Sequence, residues 1–211
     1  DLVIDEVLPA AASLADFCDV FVEEGVFAVE EARRILHRGG ELGLGARIHA
    51  EQLGHSGGAR LAVELGAVSA DHLDHVTEDD ARALAQSGVA AVLAPGASYT
   101  LRSPQAPGPM LLEAGCTVAL ATDCNPGTSH FESMGPILSL ATVQMGLTSD
   151  QALTAATLGG ARSLGLDDRG FIAAGAMADL VVLDAPSATH LAYRPGADLV
   201  HRVFKRGAPV V

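Results

Sequence analysis

Val68-Ser69-Ala70-Asp71-His72, then Thr77-Glu78-Asp79-Asp80 opening a stretch that closes at Ser87-Gly88, then Val89-Ala90-Ala91-Val92-Leu93-Ala94: residues 68–94 decide the fold of this chain. Two short apolar runs flank a segment with helix signals at both ends. Thr77 can accept a hydrogen bond from the backbone three residues on, and the acids behind it suit the positive end of a helix dipole. Gly88 can adopt the left-handed conformation that stops a helix. A strand, a helix and a second strand, with the strands apolar on both faces, make the repeating unit of a parallel sheet.

The same alternation extends to either side. Strands are predicted at 19–22, 46–49, 68–72, 89–94 and 117–122, and helices at 29–43, 57–65, 78–87, 110–114 and 132–145. Such units build either a doubly wound sheet or a (β/α)8 barrel. No Gly-x-Gly-x-x-Gly run follows a predicted strand, which removes the main support for a dinucleotide-binding sheet. A barrel needs eight strands, so the five predicted ones imply an open sheet or three units outside these residues. After Thr148 the texture changes. Thr148 caps a helix to Leu158, and a second helical stretch reaches Leu164. Gly170–Asp184 then reads as a turn and a buried strand and His201–Lys205 as a last strand, with no helix between them, which predicts a small antiparallel sheet.

Composition narrows the function. The 211 residues are 49% apolar and 18% charged, too hydrophobic for disorder. Thirteen basic against 26 acidic residues give a net charge of −13, which argues against nucleic acid and anionic membrane surfaces as partners. Three cysteines with no CxxC spacing predict no disulfide framework and no thiolate zinc site, and fit the reducing cytoplasm. The longest apolar windows are far short of a membrane span. The chain opens on Asp1 with no basic leader, and a start without Met suggests a piece of something longer.

Chemistry is expected where polar residues close buried strands, because the C-terminal strand ends carry the active site in barrels. His49 closes 46–49, His72 closes 68–72, and Asp123 follows 117–122. Two imidazoles and a carboxylate on one rim suit a divalent metal that keeps a position for water and lowers its pKa to roughly 7. One strand-end histidine is more often a packed residue, but three such residues together favour a site. These ligand types suit zinc and iron equally. Asn125-Pro126-Gly127 is also simply a good turn. Cys124 is expected to pack, while His55, in Gly54-His55-Ser56-Gly57-Gly58, lies in a flexible loop that could reach substrate.

The runs Asp19-Val20-Phe21, Gly25-Val26-Phe27, Ile48-His49-Ala50-Glu51-Gln52, Gly66 to Leu73 and Ala121 to Thr128 closely resemble the imidazolonepropionase family of the amidohydrolase superfamily. The resemblance covers essentially the whole chain. It implies an incomplete TIM-like (β/α)8 barrel, about the last five βα units, over residues 1–165, and the C-terminal part of a composite β-sandwich over 166–211. It also implies hydrolysis of the cyclic amide 4-imidazolone-5-propanoate to N-formimidoyl-L-glutamate in histidine degradation. By the same resemblance His49 and Asp123 are metal ligands, with Asp123 also the proton shuttle, and His72 polarises the substrate carbonyl or helps activate water. Gln52, Asn125, Gly127 and Thr128 would contact substrate.

The family's metal site begins with a His-x-His pair, and this sequence contains none. The chain is therefore expected to be a truncated form that binds metal weakly and turns over nothing alone. Two other readings stand beside it: a non-catalytic module needing a partner chain, and a different amidohydrolase such as a deaminase or deacetylase. The exposed edge of an open parallel sheet further predicts a homo-oligomer, a dimer in the simplest case.

Overall fold

The computed structural model describes residues 1–210. Five parallel strands form one sheet in sequential order: β1 (Phe17–Val22), β2 (Gly45–Ala50), β3 (Ser69–His72), β4 (Ala90–Leu93) and β5 (Val118–Leu120). Helices cover it: α1 (Leu8–Ala11), α2 (Val29–Glu41), α3 (Gly58–Leu65), α4 (Glu78–Ser87), α5 (Pro95–Leu101), α6 (Gly108–Glu113) and α7 (Met134–Val143). The sheet is open, with β1 and β5 outermost, as in part of a (β/α)8 barrel. A second sheet is antiparallel and three-stranded: β6 (Leu180–Leu183), β7 (Val200–Lys205) and β8 (Ala208–Pro209). Between the sheets lie α8 (Ser149–Thr154), a wide π turn (Ala155–Gly159), α9 (Gly160–Arg162) and, after β6, α10 (His190–Tyr193).

Local chemistry sets the boundaries. Thr77 Oγ1 accepts from Asp80 N while the Asp80 carboxylate takes the Thr77 N–H, and Thr148 and Gln151 repeat that exchange. At α2 the Glu31 carboxylate reaches back to the Ala28 N–H at 2.9 Å. Gly88 stops α4 at φ +78°. β4 and β5 carry only Val, Ala and Leu and are buried along their whole length, whereas β1 to β3 interleave polar residues with the apolar ones. Ile48, Leu61, Leu84, Leu93, Leu111 and Ile137 fill the layer between sheet and helices. No helix among the described residues is long and apolar enough to cross a membrane.

Three helical stretches carry no signal in the sequence: the turns over residues 3–14, α5, which begins at Pro95-Gly96, and α10, which lies between β6 and β7 where no helix is expected; β6 itself is half-exposed rather than buried. Proline at the first helical position is compatible with a helix start, because its missing N–H has no intrahelical partner there.

Candidate metal centre

The register fixes which side chains share the rim. Phe21, His49 and Asp71 are neighbours across β1, β2 and β3. His72 follows Asp71, and its backbone turns into the left-handed region at φ +75°. The same conformation recurs where the neighbouring strands end, at Glu51 (φ +57°) and Asp123 (φ +48°). Left-handed backbone at non-glycine residues costs about 1–3 kcal/mol each and concentrates at functional sites. Here it falls on three of the strand exits that carry polar chemistry.

His49, His72 and Asp123 each offer a donor atom, and these atoms lie within 4.8 Å of one another. Donors around one tetrahedral ion stand roughly 3.4 Å apart, so small side-chain shifts close this group on a single ion. The imidazole rings of His49 and His72 are 4.9 Å apart. His72 is 2% exposed, and its Nδ1 has no hydrogen-bond partner. Burial, reinforced by the adjacent His49 and only partly offset by Asp19, drives its pKa down to about 3. A buried, neutral imidazole with an uncommitted nitrogen fits beside a metal ion.

His49 differs. Burial works against its charge, but the hydrogen bond it donates to Asp19 and the nearby Asp19, Asp71 and Asp123 carboxylates raise its pKa. Burial likewise raises Asp123, with His49 lowering it and Asp71 raising it further. Beneath them Asp71 is gripped by Arg47 at 3.2 Å and by the Ser69 hydroxyl at 2.7 Å. Burial still leaves the Asp71 pKa above the ordinary carboxylate value. Arg47 also donates to the Ser163 carbonyl at 3.1 Å, tying the strand layer to α9.

Gln52 is 4% exposed and held through its backbone. Glu23, at the end of β1, accepts from Gln52 N at 2.6 Å and Leu53 N at 3.1 Å. Glu51, with no exposed surface, accepts from Ser56, Gly57 and Ala59 N. His55, placed in a mobile rim loop by the sequence, is instead 3.1 Å from the Glu51 carboxylate. Two buried carboxylates thus fasten the loop that follows His49. Neither had a signal in the sequence, where a single acid after a strand reads as a solvated loop residue.

Asn125, Gly127 and Thr128 come together beside Asp123. Asn125 Nδ2 donates to the Asp123 carbonyl at 2.7 Å, and Asn125 Oδ1 accepts from Gly127 N at 2.8 Å and Thr128 N at 2.7 Å. The run is a side-chain-mimicked turn whose polar groups satisfy one another. Cys124 is exposed, which corrects the expectation that it packs; the chain has left the strand by Asp123, so strand alternation no longer directs that side chain. A surface cleft of about 660 Å³, lined by Ser98, Arg102, His130 and Gln144 among others, contains none of the rim donors.

Imidazole and carboxylate donors that could hold a metal ion, at the C-terminal ends of parallel strands, mark a protein of the (β/α) barrel class. The chain belongs to the amidohydrolase family, whose family model matches residues 19–210. The imidazolonepropionase of Saccharopolyspora erythraea is 48% identical over 214 residues, covering 100% of this chain and 55% of that protein. That of Streptomyces coelicolor is 50% identical over 207 residues, covering 98% of this chain and 53% of its own. The chain thus spans about half the length of the curated relatives it matches. Among solved structures, an adenosine deaminase from Xanthomonas campestris with bound zinc is 26% identical with a TM-score of 0.72, over 87% of this chain and 49% of that one. A triazine hydrolase variant, 20% identical with a TM-score of 0.81 over 99% of this chain and 55% of that one, shares the fold.

Proposed function

We propose that this chain carries the metal-ligand and proton-transfer part of an imidazolonepropionase-type site, which opens the ring of 4-imidazolone-5-propanoate to give N-formimidoyl-L-glutamate in histidine degradation. The observation that carries the reading is the convergence of His49, His72 and Asp123 within 4.8 Å at the strand ends. The identity to imidazolonepropionases along the whole chain supports that substrate. His49 and Asp123 would hold one divalent ion, zinc or iron, which when bound polarises the amide carbonyl and makes water acidic enough to attack. Asp123, made more basic by burial, takes a proton from the attacking water on a carboxylate oxygen and returns it to the departing ring nitrogen. His72, neutral at physiological pH, donates a hydrogen bond to the carbonyl oxygen as negative charge develops there. Gln52 contacts the ring, and the Asn125, Gly127 and Thr128 turn receives the carboxylate-bearing end.

A hydrolytic zinc site holds its ion with three protein ligands and a water. The sequence has no His-x-His to complete that set, so the 211 residues alone bind metal weakly and do not turn over. We place the barrel part at 1–165 and the sandwich part at 166–211, and the location in the cytoplasm, where three free cysteines persist. Metal content and imidazolone ring opening of the purified chain test this. Stoichiometric metal with rapid turnover would overturn the incomplete-site reading. Metal uptake indifferent to His49→Ala and Asp123→Ala would overturn the metal centre itself. A substrate panel on a full-length relative separates this reaction from deamination.

A further inference from the structure

Asp19 lies in the middle of β1, one turn of the pleat below the rim. Its carboxylate sits 2.8 Å and 3.0 Å from Nδ1 of His49 through its two oxygens. A carboxylate only accepts hydrogen bonds, so in this contact the His49 Nδ1 donates. That leaves Nε2 as the nitrogen with a free lone pair. The ring is further walled by Phe21, centroids 5.5 Å apart, and by His72 on its other flank at 4.9 Å. The side chain of Asp19 is 40% exposed and that of His49 28%, so the pair is not part of the hydrophobic layer. We propose that Asp19 is a positioning residue: it fixes His49 as the Nδ1–H tautomer and orients the ring so that Nε2 serves the metal.

The proposal rests on the metal-centre reading of His49. A carboxylate behind a metal-bound imidazole holds the tautomer and ring plane and makes the ligand nitrogen more basic, and losing it costs metal affinity. Of the other acids near His49, Asp123 is the proposed fellow ligand, and Asp71 is committed to Arg47 and Ser69 and is not bonded to the ring. Asp19 has no hydrogen bond to any side chain but His49 among the described residues.

The test uses the full 211-residue chain labelled with 15N-histidine. Long-range proton–nitrogen correlation on the metal-free protein, at a pH where His49 is neutral, reads its tautomer, with His49→Ala giving the assignment. The expected result is Nδ1–H in the parent chain and a shift towards Nε2–H, the form favoured by a free histidine side chain, in Asp19→Ala. Zinc affinity by chelator competition should fall about 10–100-fold in Asp19→Ala. Asp19→Asn keeps an acceptor but not the charge, and should fall less. If the alanine variant does not fold, the near-isosteric Asn variant decides by its zinc affinity. An Nε2–H His49 in the parent, an unchanged tautomer in Asp19→Ala, or an unchanged zinc affinity in Asp19→Asn overturns the proposal. If instead His49→Ala binds zinc as the parent does, the metal-centre reading is what fails, while the tautomer measurement still reports on Asp19.

Discussion

Asp74 is buried at 7% exposure with one oxygen bonded to the Ser98 hydroxyl at 2.8 Å and the other without a partner. Burial raises its pKa to about 7, against the hydrogen bond from Ser98 and the pull of the nearby Ala106 backbone and with a further push from Glu23. An acid whose folded pKa exceeds its unfolded value binds more protons when folded, so its contribution to stability is full below about pH 4 and is lost as pH rises through 7. His72 acts in the opposite sense: its lowered pKa means stability is lost as pH falls below its unfolded value near 6.5. The two therefore cancel in part between pH 4 and 6.5. Asp74→Asn isolates one of them, and the difference in stability between variant and parent should grow with pH by at most about 1.4 kcal/mol per unit up to pH 7, then level off. Denaturant titrations at pH 5, 6, 7 and 8 check it. A second expectation concerns Glu51, whose removal in Glu51→Ala leaves the Ser56, Gly57 and Ala59 N–H groups without their acceptor and should cost about 3 kcal/mol, with Glu51→Gln costing less; thermal melts report this. His49, His72 and Asp123 were legible because a polar residue at the end of an apolar run breaks a strong pattern. Asp19, Glu23 and Glu51 were not, because what defines them is a partner from another strand or loop.

At the scale of elements, β1 to β5 fall within a few residues of the positions their apolar runs predict, since strands buried on both faces leave a continuous signal. The capped helices α4 and α8 were equally visible through Thr77 and Thr148. The π turn at Ala155–Gly159 was not, because its cause is tertiary. Gly159 is pressed against β5 so closely that an added Cβ would stand 2.0 Å from the Val118 carbonyl oxygen. The helix can widen and pass the strand only where there is no side chain. Gly58 at the start of α3 plays the same part against Ala50, where a Cβ would meet another at 2.8 Å. Gly159→Ala should destabilise by about 3 kcal/mol or more, because the obstacle is backbone that cannot turn away. Gly58→Ala, meeting a side-chain methyl, should cost less. Melting temperatures of the two variants, ranked against the parent, test the order.

Across the whole molecule the parallel sheet has two unlike margins. Gly159 seats against β5, whereas β1 pairs outward with nothing among the described residues apart from the Val22–Phe27 bridge. An unpaired strand margin is a template for another chain, so light scattering of the isolated protein should show a dimer or larger species whose share rises with concentration. A monomer at every concentration would contradict this. The number of parallel strands was readable from the spacing of apolar runs. That the sheet stays open was readable only by counting them against the eight of a barrel, because an open and a closed sheet demand the same residues locally.

The left-handed strand exits at His72 and Asp123 bear on how the protein could be improved by selection. Glycine occupies that conformation at no steric cost, so at these positions durability and chemistry pull in opposite directions. A laboratory evolution campaign scored only on heat resistance would drift towards glycine at the rim and deliver a sturdier scaffold with its chemistry erased. Screening for retained zinc uptake in each round would keep the library from taking that route.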